Sequence, residues 1–151
     1  MKRIFVFCVL TLAIIACSKD KVESQPHLKF KSYNSDVVPS NGFLRATLDF
    51  TDQEGDLDSV FVTRQRLNKR GPSYFQFYYG NTPEFGKQNR GELQIDFNVA
   101  QDLIFGLPAI SVPGSNPPRF EPDTLLLRFY VKDKAGHTSD TAAASNLIVI
   151  R

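Results

Sequence analysis

The chain has 151 residues, which is the length of one ordinary domain rather than two. Its 42% hydrophobic and 12% aromatic residues, beside 23% charged residues, exclude disorder as the main state. The net charge of +2 corresponds to Lys2 and Arg3, in a segment that we expect to be removed, so the remainder is neutral and no nucleic-acid partner is expected.

The first 16 residues have the pattern of an export signal. Two basic residues open it, and a largely apolar run follows over residues 4–15. This run is shorter than the roughly 20 apolar residues of a membrane-spanning helix. It ends in Ile14-Ile15-Ala16-Cys17, which resembles the lipobox of bacterial lipoproteins. The resemblance implies removal of residues 1–16 and lipidation of Cys17; the alternative is an ordinary secreted protein with an incidental cysteine.

The two cysteines lead to the same expectation. Cys8 leaves with the signal and Cys17 is expected to be thioether-linked, so the mature domain has no thiol for a disulfide, a metal site or a nucleophile. Acyl chains on Cys17 anchor a protein to a membrane without a spanning helix. Ser18 beside the cysteine resembles lipoproteins sent to the outer membrane, and Lys19-Asp20 partly resembles the surface-export signal of Bacteroidetes lipoproteins. We expect an outer-membrane lipoprotein, on the periplasmic face or the cell surface, with residues 17–26 as its tether.

From His27 onward the hydrophobic pattern has a period of two, which indicates β-strands. The clearest strands are 43–50 and 93–99, and turn residues rich in Pro, Gly and Asn separate them from weaker ones. The weaker predicted strands are 28–33, 59–66, 73–79, 124–132 and 146–151. A helical turn is predicted within 100–107, before a proline-rich connection over 108–122. The predicted core contains five phenylalanines: Phe30, Phe50, Phe61, Phe97 and Phe129.

Seven short strands in about 125 residues predict an all-β fold over residues 27–151. The expected architecture is a single seven-stranded antiparallel sandwich of the immunoglobulin-like or fibronectin-like type. The segment 50–56 has the pattern Phe-x-Asp-x-acid-Gly-Asp, and 130–140 has the form of a closing hairpin. Both resemble small sandwich domains of Bacteroidetes lipoproteins, a largely uncharacterised family. The resemblance implies a fold and a cellular address rather than an activity.

Four carboxylates surround Gly55 between the second and third predicted strands: Asp52, Glu54, Asp56 and Asp58. In an immunoglobulin-like topology this loop lies at the same end as the loop that begins with Asp133, so Asp133 is expected to approach it. Ca²⁺ takes carboxylate, carbonyl and water oxygens and relieves repulsion between clustered carboxylates. The five acids are therefore a candidate calcium site. The alternative is a solvated acidic turn in which Asp52 caps backbone amides.

Two further groups are candidates for contact with a partner. Four basic residues lie near the connection after the third strand: Arg64, Arg66, Lys69 and Arg70. They form either a basic loop that contacts anionic head groups or a solvated hairpin. Tyr74 and Tyr78 share one face of the fourth strand. They form either an exposed aromatic platform for a glycan or protein, or a surface covered by the loop 108–122.

Catalysis has little support in the sequence, because only His27 and His137 are present and no phosphate-binding loop occurs. The neighbouring residues of 137–140 include the three types of a catalytic triad, but triads are assembled from separate elements. The sequence therefore predicts a noncatalytic accessory or adhesion-type module that binds an envelope protein or a glycan. The alternatives are a structural envelope lipoprotein with a calcium-stabilised loop and, from another class, a small hydrolase.

Overall fold

The computed structural model describes residues 25–70, 75–81 and 88–151. The predicted signal, Cys17 and Tyr74 lie outside the described residues. The described residues form nine strands and one turn of π-helix. The strands are β1 His27–Tyr33, β2 Val37–Pro39, β3 Phe43–Thr51, β4 Leu57–Arg66, β5 Phe75–Asn81, β6 Arg90–Asn98, β7 Asp123–Asp133, β8 Ala142–Ala143 and β9 Leu147–Ile150, and the helical turn is Val99–Leu103. The prediction of an all-β fold is confirmed.

The strands form two sheets whose inner faces share one apolar core. The first sheet has the order β1-β3-β6, and the second has the order β2-β9-β7-β4-β5, with β8 added to β7. Phe129 of the second sheet lies across the core from Phe30 and Phe97 of the first, with ring centroids 6.4 and 6.5 Å apart. Within the described ranges, no helix is long and apolar enough to cross a membrane.

The prediction of seven strands, all antiparallel, is wrong in two details. The described residues contain nine strands, because β2 and β8 add three and two residues that are too short to show an alternating pattern. The second difference is that β2 pairs in parallel with β9, with Val38 opposite Val149. All other strand pairs of the described chain are antiparallel.

The predicted core is correct for Phe50, Phe97 and Phe129, which are buried, while Phe30 is partly buried and packs against that core. The prediction is wrong for Phe61, because its ring stacks on that of Tyr130 on the outer face of the second sheet, with ring centroids 4.6 Å apart. The alternation of β4 explains this difference. Val60 and Val62 point inward, so every second residue counted from them points inward as well, and Phe61 points outward.

The strand directions define two ends of the molecule. One end, here the acidic end, consists of residues 51–58, 88–90 and 133–140, and β1 begins there because His27 pairs with Thr51. The opposite end, here the loop end, consists of residues 40–43, 67–70, 99–122 and 150–151. The long strands β3, β4, β6 and β7 run from one end to the other, so the acidic loop and the long connection between β6 and β7 lie at opposite ends.

Candidate functional site

Three of the five predicted calcium ligands come together at the acidic end. Asp52, Asp56 and Asp133 each place a carboxylate oxygen within 4.8 Å of the other two. The loop between β3 and β4 supplies the first two, and the last residue of β7 supplies the third. The predicted approach of Asp133 is therefore observed. Glu54 and Asp58 are exposed and lie outside this group.

The loop between β3 and β4 is folded by its own polar groups. The backbone N–H of Asp56 donates to Asp52 Oδ2 at 2.8 Å, which is the backbone cap that the sequence suggested for this aspartate. Gly55 makes the bend possible with a φ of 66°, a left-handed conformation that costs a glycine little. The loop is also tied to its neighbours, because Asp52 N donates to Asn89 O at 2.8 Å and Lys134 N donates to Asp56 O at 3.1 Å.

Asp133 is held in place by the hairpin that follows β7. The backbone N–H of His137 donates to Asp133 Oδ1 at 2.7 Å, and His137 Nδ1 lies 2.7 Å from Asp133 Oδ2. The hairpin turns at Gly136, whose φ is 93°. The imidazole therefore orients the carboxylate from one side while the lone pairs on the other side stay available.

The electrostatics of the group are unfavourable without a counter-charge. Asp52 is only 2% exposed, and the Oδ1 atoms of Asp52 and Asp56 are buried without a hydrogen-bond partner. Two like charges 4.8 Å apart repel by about 3 kcal/mol at an effective dielectric constant of about 20. Burial raises the pKa of Asp56, and the charges of Asp52, Asp133 and Glu54 raise it further, against a smaller opposing effect of Lys134.

The expectation of an exposed basic cluster requires correction for Arg64 and Arg66. Both residues are 2% exposed and their side chains point into the molecule, because they continue the inward alternation of Val60 and Val62 along β4. Their guanidinium groups bind the connection between β6 and β7. Arg64 donates to the carbonyl oxygens of Asp102, Leu103 and Phe105, and Arg66 donates to that of Pro108 at 2.9 Å. Neither side chain is placed to contact a partner directly.

A buried carboxylate completes this arginine cluster. Asp123, the first residue of β7, is fully buried, and its two oxygens pair with Arg66 and with Arg151 Nε, the latter at 2.6 Å. Arg151 also donates from Nη2 to the carbonyl oxygen of Leu107 at 2.9 Å. Three arginines thus hold the backbone of residues 102–108 against the sandwich, which gives the long connection a fixed position.

The loop end carries most of the exposed large hydrophobic residues. Six such residues occur in the described ranges, and five lie at this end. They are Phe43, Leu67, Phe105, Phe120 and Ile150. Phe105 is 70% exposed although the backbone around it is fixed by buried arginines, and Phe120 is 50% exposed. Their exposure is not predictable from the sequence pattern, because single apolar residues within loops carry no periodic signal.

The remaining candidates are placed only in part. Tyr74 lies outside the described residues, and for Tyr78 the structure gives the backbone, which pairs with Val62 from the edge strand β5. The residues 137–140 make hydrogen bonds within the hairpin and with β7. His137 binds Asp133, and Ser139 Oγ accepts from Val131 N at 3.0 Å and donates to Asp140 O at 2.7 Å. His27 is exposed, and its Nδ1 lies 3.9 Å from Asp140 Oδ1.

No protein-family model matches the chain, and no curated protein matches it. Similar solved structures include Spo0M, a sporulation control protein from Bacillus subtilis, with 8% identity and a TM-score of 0.48 over 85% of this chain and 50% of that one. The alkylpurine DNA glycosylase AlkC of Pseudomonas fluorescens gives 7% identity and a TM-score of 0.47, over 85% of this chain and 31% of the enzyme. A Niemann-Pick type C2 protein from the Japanese carpenter ant gives 10% identity and a TM-score of 0.41, over 87% of this chain and 97% of that protein.

These TM-scores all lie below 0.5, so the neighbours carry neither a fold family nor a function to this chain. The chain also spans only half of Spo0M and about a third of the glycosylase. What its own structure defines is an all-β protein of two sheets, with an acidic group at one end and most of its exposed large hydrophobic residues in the described ranges at the other.

Proposed function

We propose that this chain is a lipid-anchored outer-membrane protein whose single sandwich is a noncatalytic binding module, and that its loop end contacts a partner in the envelope. The observation that carries the proposal is the concentration of exposed large hydrophobic residues at the loop end, on a backbone fixed by buried arginines. Five exposed large hydrophobic residues in the loops and strand ends at one end of a small domain favour an interaction site there, and a fixed backbone lowers the entropy cost of binding.

The strand order supports an immunoglobulin-like assignment of the sandwich. In the usual lettering, β1, β3 and β6 take the positions of strands A, B and E in one sheet. The other sheet has β9, β7, β4 and β5 in the positions of G, F, C and C′, and β2 extends it beyond β9. The loop end then contains the connection between strands E and F, which is 24 residues long here, from 99 to 122.

The position of the tether supports a loop end that faces away from the membrane. The chain enters the sandwich at the acidic end, where Gln25 donates to the carbonyl oxygen of Thr138 and β1 begins at His27. Residues 18–26 reach about 30 Å when fully extended. A lipid on Cys17 therefore places the acidic end nearer the membrane, and the eleven residues of β7 separate it from the loop end by about 36 Å.

The chemistry of the surface favours a protein partner over a glycan. Phe105 and Phe120 offer rings without hydrogen-bonding groups, whereas sugar recognition combines a ring with several polar contacts. A protein pocket that accepts an aromatic anchor needs only the ring. Glycan binding, a purely structural role and a hydrolase are the alternatives that the experiments distinguish.

The anchor is tested in cells of the native host grown with an alkyne analogue of palmitate. We expect the label on the wild-type chain in the outer-membrane fraction, and its loss with release of the chain in Cys17→Ser. An unlabelled wild-type chain in the soluble fraction contradicts the anchor.

The partner is tested by native electrophoresis of the mildly solubilised membrane protein. We expect a complex larger than the monomer that is lost in a Phe105→Ser, Phe120→Ser double variant and kept in Glu54→Gln. A monomer in all cases contradicts the binding role.

A further inference from the structure

We infer that Asp52, Asp56 and Asp133 form a calcium-binding site at the acidic end of the sandwich. The site does not depend on the lipid anchor or on the contact at the loop end. Its ligands come from two segments that are far apart in sequence and that the sheet brings together, the loop between β3 and β4 and the end of β7. A cation there joins the two segments.

The buried carboxylate of Asp52 is the first argument for a ligand. The residue is 98% buried, and its two oxygens have different environments. Oδ2 accepts the backbone N–H of Asp56, but Oδ1 is buried without a hydrogen-bond partner. An ionised oxygen removed from water without a partner is costly, so such atoms in native proteins signal a missing proton, ion or water. Asp56 Oδ1 is a second oxygen of the same kind in the same group.

The arrangement of the surrounding groups is the second argument. Carboxylate ligands of metals are usually held by hydrogen bonds from other residues, and His137 holds Asp133 in this way through its backbone N–H and its ring. The backbone N–H of Asp56 holds Asp52 in the same manner. A surface pocket of about 210 Å³ lies beside Asp52 and is lined in part by His27 and Asn89.

Ca²⁺ fits this donor set better than the other common biological cations. The ligands are all oxygen, without the sulfur or paired imidazole nitrogens that Zn²⁺ prefers. Three carboxylates provide three to six of the about six to eight oxygens that Ca²⁺ takes, and water can supply the others. Mg²⁺ requires near-ideal octahedral geometry and gives up its waters reluctantly, so it is expected to bind more weakly.

The test is thermal unfolding of the full-length protein in detergent, with chelator and then with 5 mM CaCl₂ or MgCl₂, together with calorimetric titration of CaCl₂. At a calcium concentration about 100 times the dissociation constant, we expect the unfolding midpoint to rise by about 5–10 °C. The rise should be smaller with MgCl₂, absent in Asp56→Asn and Asp52→Asn, and retained in Asp58→Asn, an exposed acid of the same loop. If Asp52→Asn does not fold, the half-buried Asp56→Asn decides.

Three results overturn the site. The first is a wild-type protein that neither binds Ca²⁺ in the titration nor shifts its unfolding midpoint. The second is a calcium response that remains in Asp56→Asn. The third is a response lost equally in Asp58→Asn, since that outcome reports general acidity of the loop rather than ligands at defined positions.

Discussion

Replacing Asp123 by Asn is expected to destabilise the protein strongly, because Asp123 is the counter-ion of two arginines. Its carboxylate is fully buried and pairs with Arg66, whose side chain is 1% exposed, and with Arg151, whose side chain is 13% exposed. The variant keeps the size of the side chain and removes only the charge. It leaves the guanidinium of Arg66 buried without a counter-charge, and breaking a buried ion pair in this way typically costs about 3–5 kcal/mol of unfolding free energy.

For a chain of about 150 residues this loss corresponds to a fall of about 10–15 °C in the unfolding midpoint. Urea unfolding followed by circular dichroism measures the change, and the slope with urea should stay the same. Asp96→Asn is the matched control, because Asp96 makes a two-pronged pair with Arg45 on the exposed face of β3 and β6. That pair is screened by water, so its loss should leave the midpoint nearly unchanged. Equal unfolding midpoints for Asp123→Asn and Asp96→Asn would contradict a stabilising role of the buried ion pairs.

Three further outcomes are expected. Phe129→Ala should cost about 3–5 kcal/mol in urea unfolding because it leaves a cavity between the sheets, and Phe61→Ala on the outer face should cost clearly less. Arg64→Met should raise hydrogen exchange of the amides of 102–108, and unchanged exchange would show that the arginine does not fix that connection. In the presence of chelator, the unfolding free energy of the wild-type protein should fall relative to that of Asp56→Asn as the pH rises above the unfolded pKa of an aspartate. The reason is that the folded state holds the Asp56 proton more tightly than the unfolded state does. A difference between the two proteins that stays constant from pH 3 to pH 7 would contradict the raised pKa of Asp56.

The sequence predicts well what depends on local alternation. The alternation of Leu44, Ala46 and Leu48 with polar residues predicts β3 to within one residue at each end. The alternation of Leu93 and Phe97 predicts β6 but misses its first three residues. The meeting of Asp133 with the loop between β3 and β4 also followed from the order of strands. Once a two-sheet topology is assumed, residues that end neighbouring strands are placed at the same end without any knowledge of side chains.

The inward position of Arg64 and Arg66 could not be obtained in the same way. The rule that charged residues are rarely buried unless they are paired predicts exposure, and Asp123, the partner of Arg66, lies 57 residues from it in the chain. One signal was present, since Arg64 and Arg66 have the same parity as Val60 and Val62 along β4. Giving that parity more weight than charge would have predicted the inward arginines and an outward Phe61.

The short strands were missed for a different reason. β2 and β8 have three and two residues, and their pairing is decided by neighbours that are far away in sequence, such as Ile148 opposite Val37. No alternation within so few residues distinguishes a strand from a loop. The exposure of Phe105 and Phe120 is likewise not predictable from the sequence, because both lie in the connection between β6 and β7, where no alternation marks which side chains are buried.

The most direct test of the account is photo-cross-linking in living cells with a photoreactive amino acid at a single position of the full-length protein. The positions compared are Phe105 and Phe120 at the loop end and Glu54 and Asp58 at the acidic end, all of which are exposed. The account predicts a defined cross-linked protein band from positions 105 and 120 and no such band from positions 54 and 58. The same band from all four positions, or from 54 and 58 alone, would contradict a partner that binds at the loop end.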